Sequence, residues 1–233
     1  RYEAIVPESL PNAVIYPYDQ ETGNALSESV LENMAPNTWA YLKTCRGKLH
    51  GRPYFDRSSK RWYELWCPRT PQLYIRPKII GPEIASRGEF TLCEQTLFIN
   101  NKLKGLIPNA ELKENIEYLL ALLNSSLLVF LHRLIAPPKG GGFFEVKTRI
   151  LGRLPIRLID FSHRTDKTRH DRMVELVQGM LSLHKQLAAA RTPQDKTVIQ
   201  RQIGATDRQI DRLVYELYDL TDEEVAIVEE ATR

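Results

Sequence analysis

The fold depends on the stretch of residues 115–156, which reads NIEYLLALLNSSLLVFLHRLIAPPKGGGFFEVKTRILGRLPI. Its first half is apolar at so many positions that a surface helix with one buried face does not explain it. We therefore predict one core helix over residues 116–135. Pro137 and Pro138 end that helix, and the three glycines at 140–142 predict a turn or a close backbone approach to a partner.

The half of this stretch after the glycines is basic. Phe143, Phe144 and Val146 alternate with Lys147, Arg149 and Arg153 before a second stop at Pro155. This alternation predicts a basic strand joined to the core helix by a glycine hinge.

Length and composition are those of an ordinary globular protein. The chain has 233 residues, of which 42% are apolar, so we expect one domain with an appendage. The three cysteines are widely spaced, which predicts reduced thiols in a cytoplasmic protein and no zinc site. We expect neither a signal peptide nor a membrane span. Because the first residue is Arg, we expect a fragment of a longer chain.

The positive charge is concentrated in one part of the chain. Residues 36–105 hold thirteen Lys and Arg residues against five acids, whereas residues 219–233 hold one Arg against six acids. Such clustering indicates a polyanion partner such as nucleic acid, although a solvated basic face gives the same count.

The first third of the chain predicts short elements. We expect strands over residues 2–6 and 13–18, a helix over 26–34 that begins near Ser27 or Ser29, and a second helix capped by Asn37 or Thr38. Further strands are predicted at residues 78–80 and within 90–99.

Residues 49–74 mix basic and aromatic side chains. Arginine can contact phosphates or guanine edges and aromatic rings can stack on bases, so the pattern fits a DNA-facing loop and strand. The alternative is a strand with Trp62 and Trp66 on one face and Tyr63 on the other. We expect the aromatic side chains to be mostly core and the arginines at 52–61 to be mostly functional.

The last third predicts long helices. Apolar residues step by three and four over residues 166–187 and again over 199–217, which indicates an antiparallel, coiled-coil-like hairpin. Gly204 costs this second helix roughly 1 kcal/mol relative to Ala. Thr221 and Glu224 predict a capping box for a short acidic final helix.

Catalytic motifs are missing from the sequence. A methyltransferase for exocyclic amines needs an Asn/Asp-Pro-Pro-aromatic segment, and the sequence contains none. Glu145-Val146-Lys147 and Glu111-Leu112-Lys113 supply half of a nuclease motif, but there is no Asp between Asp56 and Asp160. The histidines form no catalytic constellation. We therefore expect no catalytic residue and no metal ligand in this segment.

Several phrases together resemble a known family. They are YLLALLNSSLL (residues 118–128), LPI (154–156) and the ending IDRLVYELYDLTDEE (210–224), in which Asp219 stands where Gly is more usual. In this order they are similar to the TaqI-like C-terminal specificity domain of restriction-modification enzymes.

The resemblance implies an α+β fold: a mixed β-sheet domain with a buried central helix at residues 1–160, then a helical hairpin at 161–233 like the spacers of type I specificity subunits. It also implies double-stranded DNA as the partner and a methyltransferase domain upstream in the same polypeptide. That domain would use S-adenosylmethionine, and magnesium ions would be needed where the parent enzyme also cuts DNA.

The basic and glycine residues of the two loops are the predicted DNA-binding set: Arg52, Tyr54, Arg57, Lys60, Arg61, Arg69, Lys139, Gly140, Gly141, Gly142, Lys147, Arg149 and Arg153. Two alternatives stay open. One is a protein-interaction or homo-oligomerisation module that docks through the hairpin, and the other is a self-contained metal-dependent nuclease.

Overall fold

The computed structural model describes Tyr2, residues 12–50 and residues 57–233. The strand predicted at residues 2–6 and the site residues Arg52 and Tyr54 lie outside the described residues. The chain divides into two compact units. The larger contains Pro77–Gln95 and Ile99–Arg233, and the smaller contains the described residues of Pro7–Arg76 together with Thr96–Phe98.

Short helices form the smaller unit: α1 (Glu28–Met34), α2 (Pro36–Thr44), α3 (Arg46–His50) and α4 (Gln72–Ile75). Ser27 caps α1 as predicted, because its hydroxyl accepts a hydrogen bond from the Val30 amide. The predicted cap of α2 is wrong. That helix begins at Pro36, whose fixed φ suits the first helical position, and no side chain caps it.

Aromatic packing replaces the strands predicted here. Trp39, Trp62 and Tyr63 are buried together, with ring centroids 5.3 to 5.6 Å apart. Trp66 is 49% exposed, and residues 61–66 form turns, so the alternating strand is wrong. Residues 13–18 also form no strand, and Tyr18 makes only an isolated bridge to Ala25.

Strands occur in the larger unit: β1 (Lys78–Pro82), β2 (Ile84–Ala85), β3 (Thr91–Cys93), β4 (Leu103–Leu106), β5 (Pro138–Gly140) and β6 (Phe143–Glu145). They make two antiparallel sheets, with strand orders β3-β1-β4 and β2-β6-β5. The predicted strand at 78–80 is confirmed as β1, and only residues 91–93 of the stretch 90–99 are strand. The α+β class is confirmed, although the pairing is antiparallel rather than mixed.

The predicted core helix is two helices, α5 (Ile116–Asn124) and α6 (Ser126–Ile135). The chain bends by 63° between them. Ser125 causes the bend, since its extended backbone ends α5 while its hydroxyl accepts a hydrogen bond from the Leu128 amide and caps α6. Among the described residues no single helix is long and apolar enough to span a membrane. The bent pair α5 and α6 together has the length and composition of a span, and this rests on length and composition alone.

The residues on either side of Ser125 attach this bend to the rest of the unit. Asn124 is fully buried. Its side-chain Nδ2 donates to the Phe90 carbonyl, and its Oδ1 accepts from the Phe90 backbone amide, each at 2.9 Å. The amide and hydroxyl of Ser126 both donate to the Asp211 carboxylate, at 2.8 and 2.7 Å. The phrase NSS is therefore a structural joint.

Four further helices complete the unit: α7 (Thr148–Leu151), α8 (Arg164–Ala189), α9 (Pro193–Leu217) and α10 (Asp222–Thr232). The predicted hairpin is α8 with α9, and the predicted capping box is confirmed at Thr221 and Glu224. Asp219 has φ +53° and ends α9 in a Schellman arrangement, with the Leu220 amide donating to the Tyr215 carbonyl.

One hydrophobic core joins the sheets, the bent helix pair and the hairpin. Its buried members from the last three long helices are Met173, Leu176, Val177, Met180, Ile210, Val214, Tyr215, Leu217 and Val228. The larger compact unit therefore continues past residue 160, and the functional division at that residue stays a prediction.

Candidate nucleic-acid interface

The glycine turn forms the end of a two-stranded ribbon. β5 and β6 pair antiparallel, and Gly140 lies opposite Phe143. Gly140, Gly141 and Gly142 have φ of +83°, +60° and +78°, values that side-chain-bearing residues rarely adopt. A Cβ added to Gly140 or Gly142 would meet no described atom within 4 Å. Backbone conformation, rather than crowding, therefore requires glycine here.

Lys139 and Lys147 share one carboxylate at the base of this ribbon. Glu145 is largely buried, and its two oxygens lie 2.5 Å from Lys139 Nζ and 2.6 Å from Lys147 Nζ. The hydrogen bond from Lys139 is the largest cause that lowers the pKa of Glu145, and that from Lys147 acts in the same direction. The carboxylate thus holds both ammonium groups in place while leaving the trio with net positive charge.

The neighbouring strands add two lysines that the sequence analysis did not select. Glu83 lies 3.4 Å from Lys102 Nζ and 3.6 Å from Lys104 Nζ, and its carbonyl accepts a hydrogen bond from the Val146 amide. The charge of Lys104 is the main cause that lowers the pKa of Glu83. A second glutamate with two lysines is therefore attached, through the backbone of Glu83, next to the end of β6. The alternating sequence NKLKG was the available signal, since residues two apart in a strand share a face.

The arginines after β6 are exposed. The predicted basic strand ends early, because Ile150 and Leu151 are buried and fold residues 148–151 into the short helix α7. Arg149 and Arg153 then lie on the surface, and neither has an ion-pair partner in the described part of the chain. Both guanidinium groups are free to contact phosphates.

The predicted DNA-binding cations of the smaller unit differ in whether they contact other described residues. Arg61 Nη1 donates to the Leu26 carbonyl at 2.7 Å and to the Tyr63 hydroxyl at 3.0 Å, which ties its loop to the start of α1. Lys60 Nζ donates to the Leu65 carbonyl at 3.2 Å. Arg57 is exposed and makes no ion pair with any described residue. Of the described cations in this loop, Arg57 is therefore the one that is available to a ligand.

Arg69 is half-buried, and its carbonyl accepts a hydrogen bond from the Tyr16 hydroxyl. Burial is the main cause that raises the pKa of Tyr16 to about 12, so this phenol keeps its proton. We place Arg69 in the framework of the smaller unit and retain its side chain as a candidate DNA contact.

Of the two Glu-x-Lys pairs that suggested a nuclease, Glu145-Val146-Lys147 is already engaged in other contacts. Each oxygen of Glu145 is bound by a lysine ammonium group. Among the described residues no three His, Cys, Asp or Glu side chains cluster as metal ligands would. An apolar cavity of about 240 Å³ lies between β4, α5 and α7, and among the described residues that line it Thr148 alone has a polar side chain.

Comparison with known proteins identifies a matching protein family. The sequence model of the TaqI-like C-terminal specificity domain matches residues 13–156. The type II restriction enzyme and methyltransferase RM.Eco57I of Escherichia coli is 30% identical over 246 aligned positions, covering 98% of this chain and 24% of that protein. The type II methyltransferase M.BanIII of Aneurinibacillus aneurinilyticus is 29% identical over 103 residues, covering 44% of this chain and 18% of that protein.

A further relative, the type II methyltransferase M.HincII of Haemophilus influenzae, is 26% identical over 132 residues, covering 56% of this chain. The chain spans only 18% to 26% of the length of these three relatives. The family match itself covers more than half of the chain and includes both the glycine ribbon and the bent helix pair. The chain belongs to the TaqI-like C-terminal specificity domain family.

Proposed function

We propose that this chain is the DNA-recognition part of a restriction-modification polypeptide and that it binds double-stranded DNA at a defined sequence. The observation that carries the proposal is the basic surface of the glycine ribbon and α7, which lies inside the region matched by the specificity-domain family. Exposed arginines and carboxylate-held lysines suit phosphate contacts, which fix the register of a protein on the duplex.

In this proposal the chemistry belongs to other parts of the polypeptide. Methyl transfer would be carried out by an upstream methyltransferase domain that uses S-adenosylmethionine, and any cleavage by a nuclease domain that uses magnesium ions. The chain described here would supply affinity and sequence choice in the cytoplasm, where it would contact the methyltransferase domain. The names of the relatives support this division, because they include methyltransferases and a combined restriction enzyme and methyltransferase.

Selection from a random-sequence duplex library tests sequence recognition directly. The 233-residue chain is incubated with the library, retained DNA is amplified over several rounds, and the products are sequenced. We expect one short sequence to be enriched. Retention without enrichment would contradict a specificity role and leave only non-specific DNA binding.

Fluorescence anisotropy with the enriched duplex tests the proposed surface. Replacing Arg149 and Arg153 with Ala is expected to weaken binding. The magnitude of the slope of log K against log salt should also fall by about 1.8, because each lost phosphate contact lowers that magnitude by about 0.9. Replacing Lys185 and Arg191, two exposed cations near the end of the hairpin, is the matched control and should leave the slope unchanged. Equal slopes for both double variants would contradict the assignment.

A second function, protein docking through the hairpin, is favoured by one feature. No residue of α8 after Met180 and none of α9 before Ile210 is fully buried, so the far half of the hairpin is less covered by the core than the near half. Its Val198 side chain is 53% exposed. We propose light scattering of the chain at several concentrations: a mass that rises toward a dimer would support this function, and a constant monomer mass would contradict self-association.

A further inference from the structure

We propose that Phe143 is a wedge, a side chain that inserts between two base pairs and bends the bound duplex. This inference rests on the proposed DNA-binding function and adds how the ribbon deforms the bound duplex. It predicts that the ribbon enters the minor groove with its glycine end first, and that Phe143 partly unstacks one base step there. Apolar side chains inserted in this way kink DNA toward the major groove by roughly 20–90°.

The first observation is that Phe143 is exposed although it lies in a strand. Its side chain is 44% exposed and is not part of the hydrophobic core. The residue opposite it is Gly140, which has no side chain, so the ring lacks the cross-strand neighbour that normally stabilises an aromatic residue in a sheet. Phe143 therefore contributes little to the fold of the ribbon.

Its neighbour Phe144 shows the contrasting role. Phe144 is half-buried, and its ring centre lies 6.0 Å from the guanidinium carbon of Arg133. Arg133 in turn donates hydrogen bonds to the carbonyls of Ser86 and Ala231. One phenylalanine thus anchors the ribbon to the unit, while the other faces outward.

The second observation is the shape of the ribbon end. Three consecutive glycines leave it as bare backbone, and a Cβ built on Gly141 would lie 3.7 Å from Cδ2 of Phe143. The ring therefore lies beside the turn and is the nearest large group to it. A ribbon with side chains fits the wide major groove, whereas an end without side chains is narrower and therefore better suited to a groove about 6 Å wide.

The third observation is the pair of cations held at the base of the ribbon. Lys139 precedes the glycines, and Lys147 is held by Glu145, which is two residues after Phe143 in the same strand. Lys139 in β5 and Lys147 just after β6 would contact the phosphates that border the groove, and these contacts would offset the cost of unstacking a base step. An exposed ring on a ribbon whose base carries two fixed cations suits stacked bases better than a neutral protein surface.

Energy transfer between dyes at the two ends of the enriched duplex measures the bend. The wild-type chain should increase transfer, Phe143→Ala should abolish the increase while retaining binding by anisotropy, and Phe143→Leu should keep most of it because leucine is also an apolar wedge. Ile227→Ala, which truncates an apolar side chain that is 57% exposed on α10, is the matched control and should bend DNA as the wild type does.

A second readout locates the wedge. 2-Aminopurine placed at successive positions of the enriched duplex should brighten at one base step with the wild-type chain and stay quenched with Phe143→Ala. Equal bending by wild type and Phe143→Ala, or no brightening at any position while anisotropy shows binding, would overturn the proposal. If no sequence is enriched at all, the proposed function fails instead. Urea midpoints that agree for wild type and Phe143→Ala exclude misfolding as the cause of lost bending.

Discussion

At the residue scale, single polar side chains hold the larger unit together. The side-chain amide of Asn124 takes the place of a paired strand, since it makes with the Phe90 backbone the two hydrogen bonds that a neighbouring strand residue would make. Tyr118 and Tyr218 bind the segment after α7 in a related way. Their hydroxyl groups donate to the carbonyls of Arg157 and Pro155, at 2.8 and 2.6 Å. The phrases that resemble the family are therefore contacts within the scaffold.

Asn124→Asp is predicted to destabilise the chain strongly. The carboxylate keeps the acceptor for the Phe90 amide but loses the donor, and it places a buried charge beside the Phe90 carbonyl. We expect a loss of about 3 kcal/mol or more at pH 7, measured by urea unfolding followed by circular dichroism. Asn109→Asp makes the same change at an exposed position and should cost less than about 0.5 kcal/mol. Equal effects at both sites would contradict the role of Asn124.

Asp219→Gly is predicted to stabilise the chain. Asp219 has φ +53°, where an L side chain is strained and glycine is not, so we expect a gain of about 0.5–1 kcal/mol in the free energy of unfolding. Asp219→Ala has the strain without the polar side chain and should lose stability. Thermal unfolding of the two variants side by side checks the order, and a more stable Ala variant would contradict it.

At the element scale, the ribbon depends on Glu145 and on α6. His132 Nε2 donates to the Glu145 carbonyl at 3.0 Å, and the Glu145 amide donates to the Pro137 carbonyl. Burial is the main cause that lowers the pKa of His132, which keeps its ring neutral and suited to this bond. The ribbon is thus fixed at its base while its glycine end extends outward.

Glu145→Gln is predicted to change how stability depends on pH. The pKa of Glu145 in the folded chain lies below the usual 4.5, so the charged form stabilises the fold at pH values above 4.5. This contribution is lost as the pH falls through the folded pKa. Wild type should therefore be more stable than Glu145→Gln at pH 7, and the two should converge once the pH falls below the lowered pKa of Glu145. Urea unfolding at several pH values measures this, and a constant difference would refute it.

At the scale of the whole molecule, the hairpin belongs to the core of the larger unit. Met173, Val177 and Met180 of α8 are fully buried, as are Ile210 and Val214 of α9. The bent helix pair α5 and α6 would lose these partners if the chain ended at residue 160. We therefore expect the hairpin helices to be required for the larger unit to fold.

Truncation of the chain after residue 160 is predicted to abolish cooperative unfolding, because a large part of the apolar surface of α5 would be exposed. A shortened hairpin that lacks residues 183–189 and 194–200 removes one heptad from each helix and no buried residue. That control should still unfold cooperatively in urea. Cooperative unfolding of the chain truncated after residue 160 would show that the first part folds alone.

Local rules in the sequence determined much of this architecture. The apolar spacing of residues 166–217 predicted the hairpin, Ser27 and Thr221 predicted their caps, and the glycines at 140–142 predicted the turn. These signals are readable because periodicity, capping and positive φ depend on neighbouring residues alone. The family resemblance also came from sequence, since its phrases encode the joints of the scaffold.

Only the tertiary structure decided which candidate residues can meet a ligand. Arg57, Arg149 and Arg153 are exposed, whereas Arg61 is engaged by carbonyls that lie 35 and 36 positions away in the chain. The bend next to Ser125 is likewise attached to α9 through a bond from Ser126 to Asp211, which lies 85 residues further on and which no local pattern reveals. The physical reason is that hydrogen bonds and ion pairs form between groups that are close in space, and the chain fold determines that proximity.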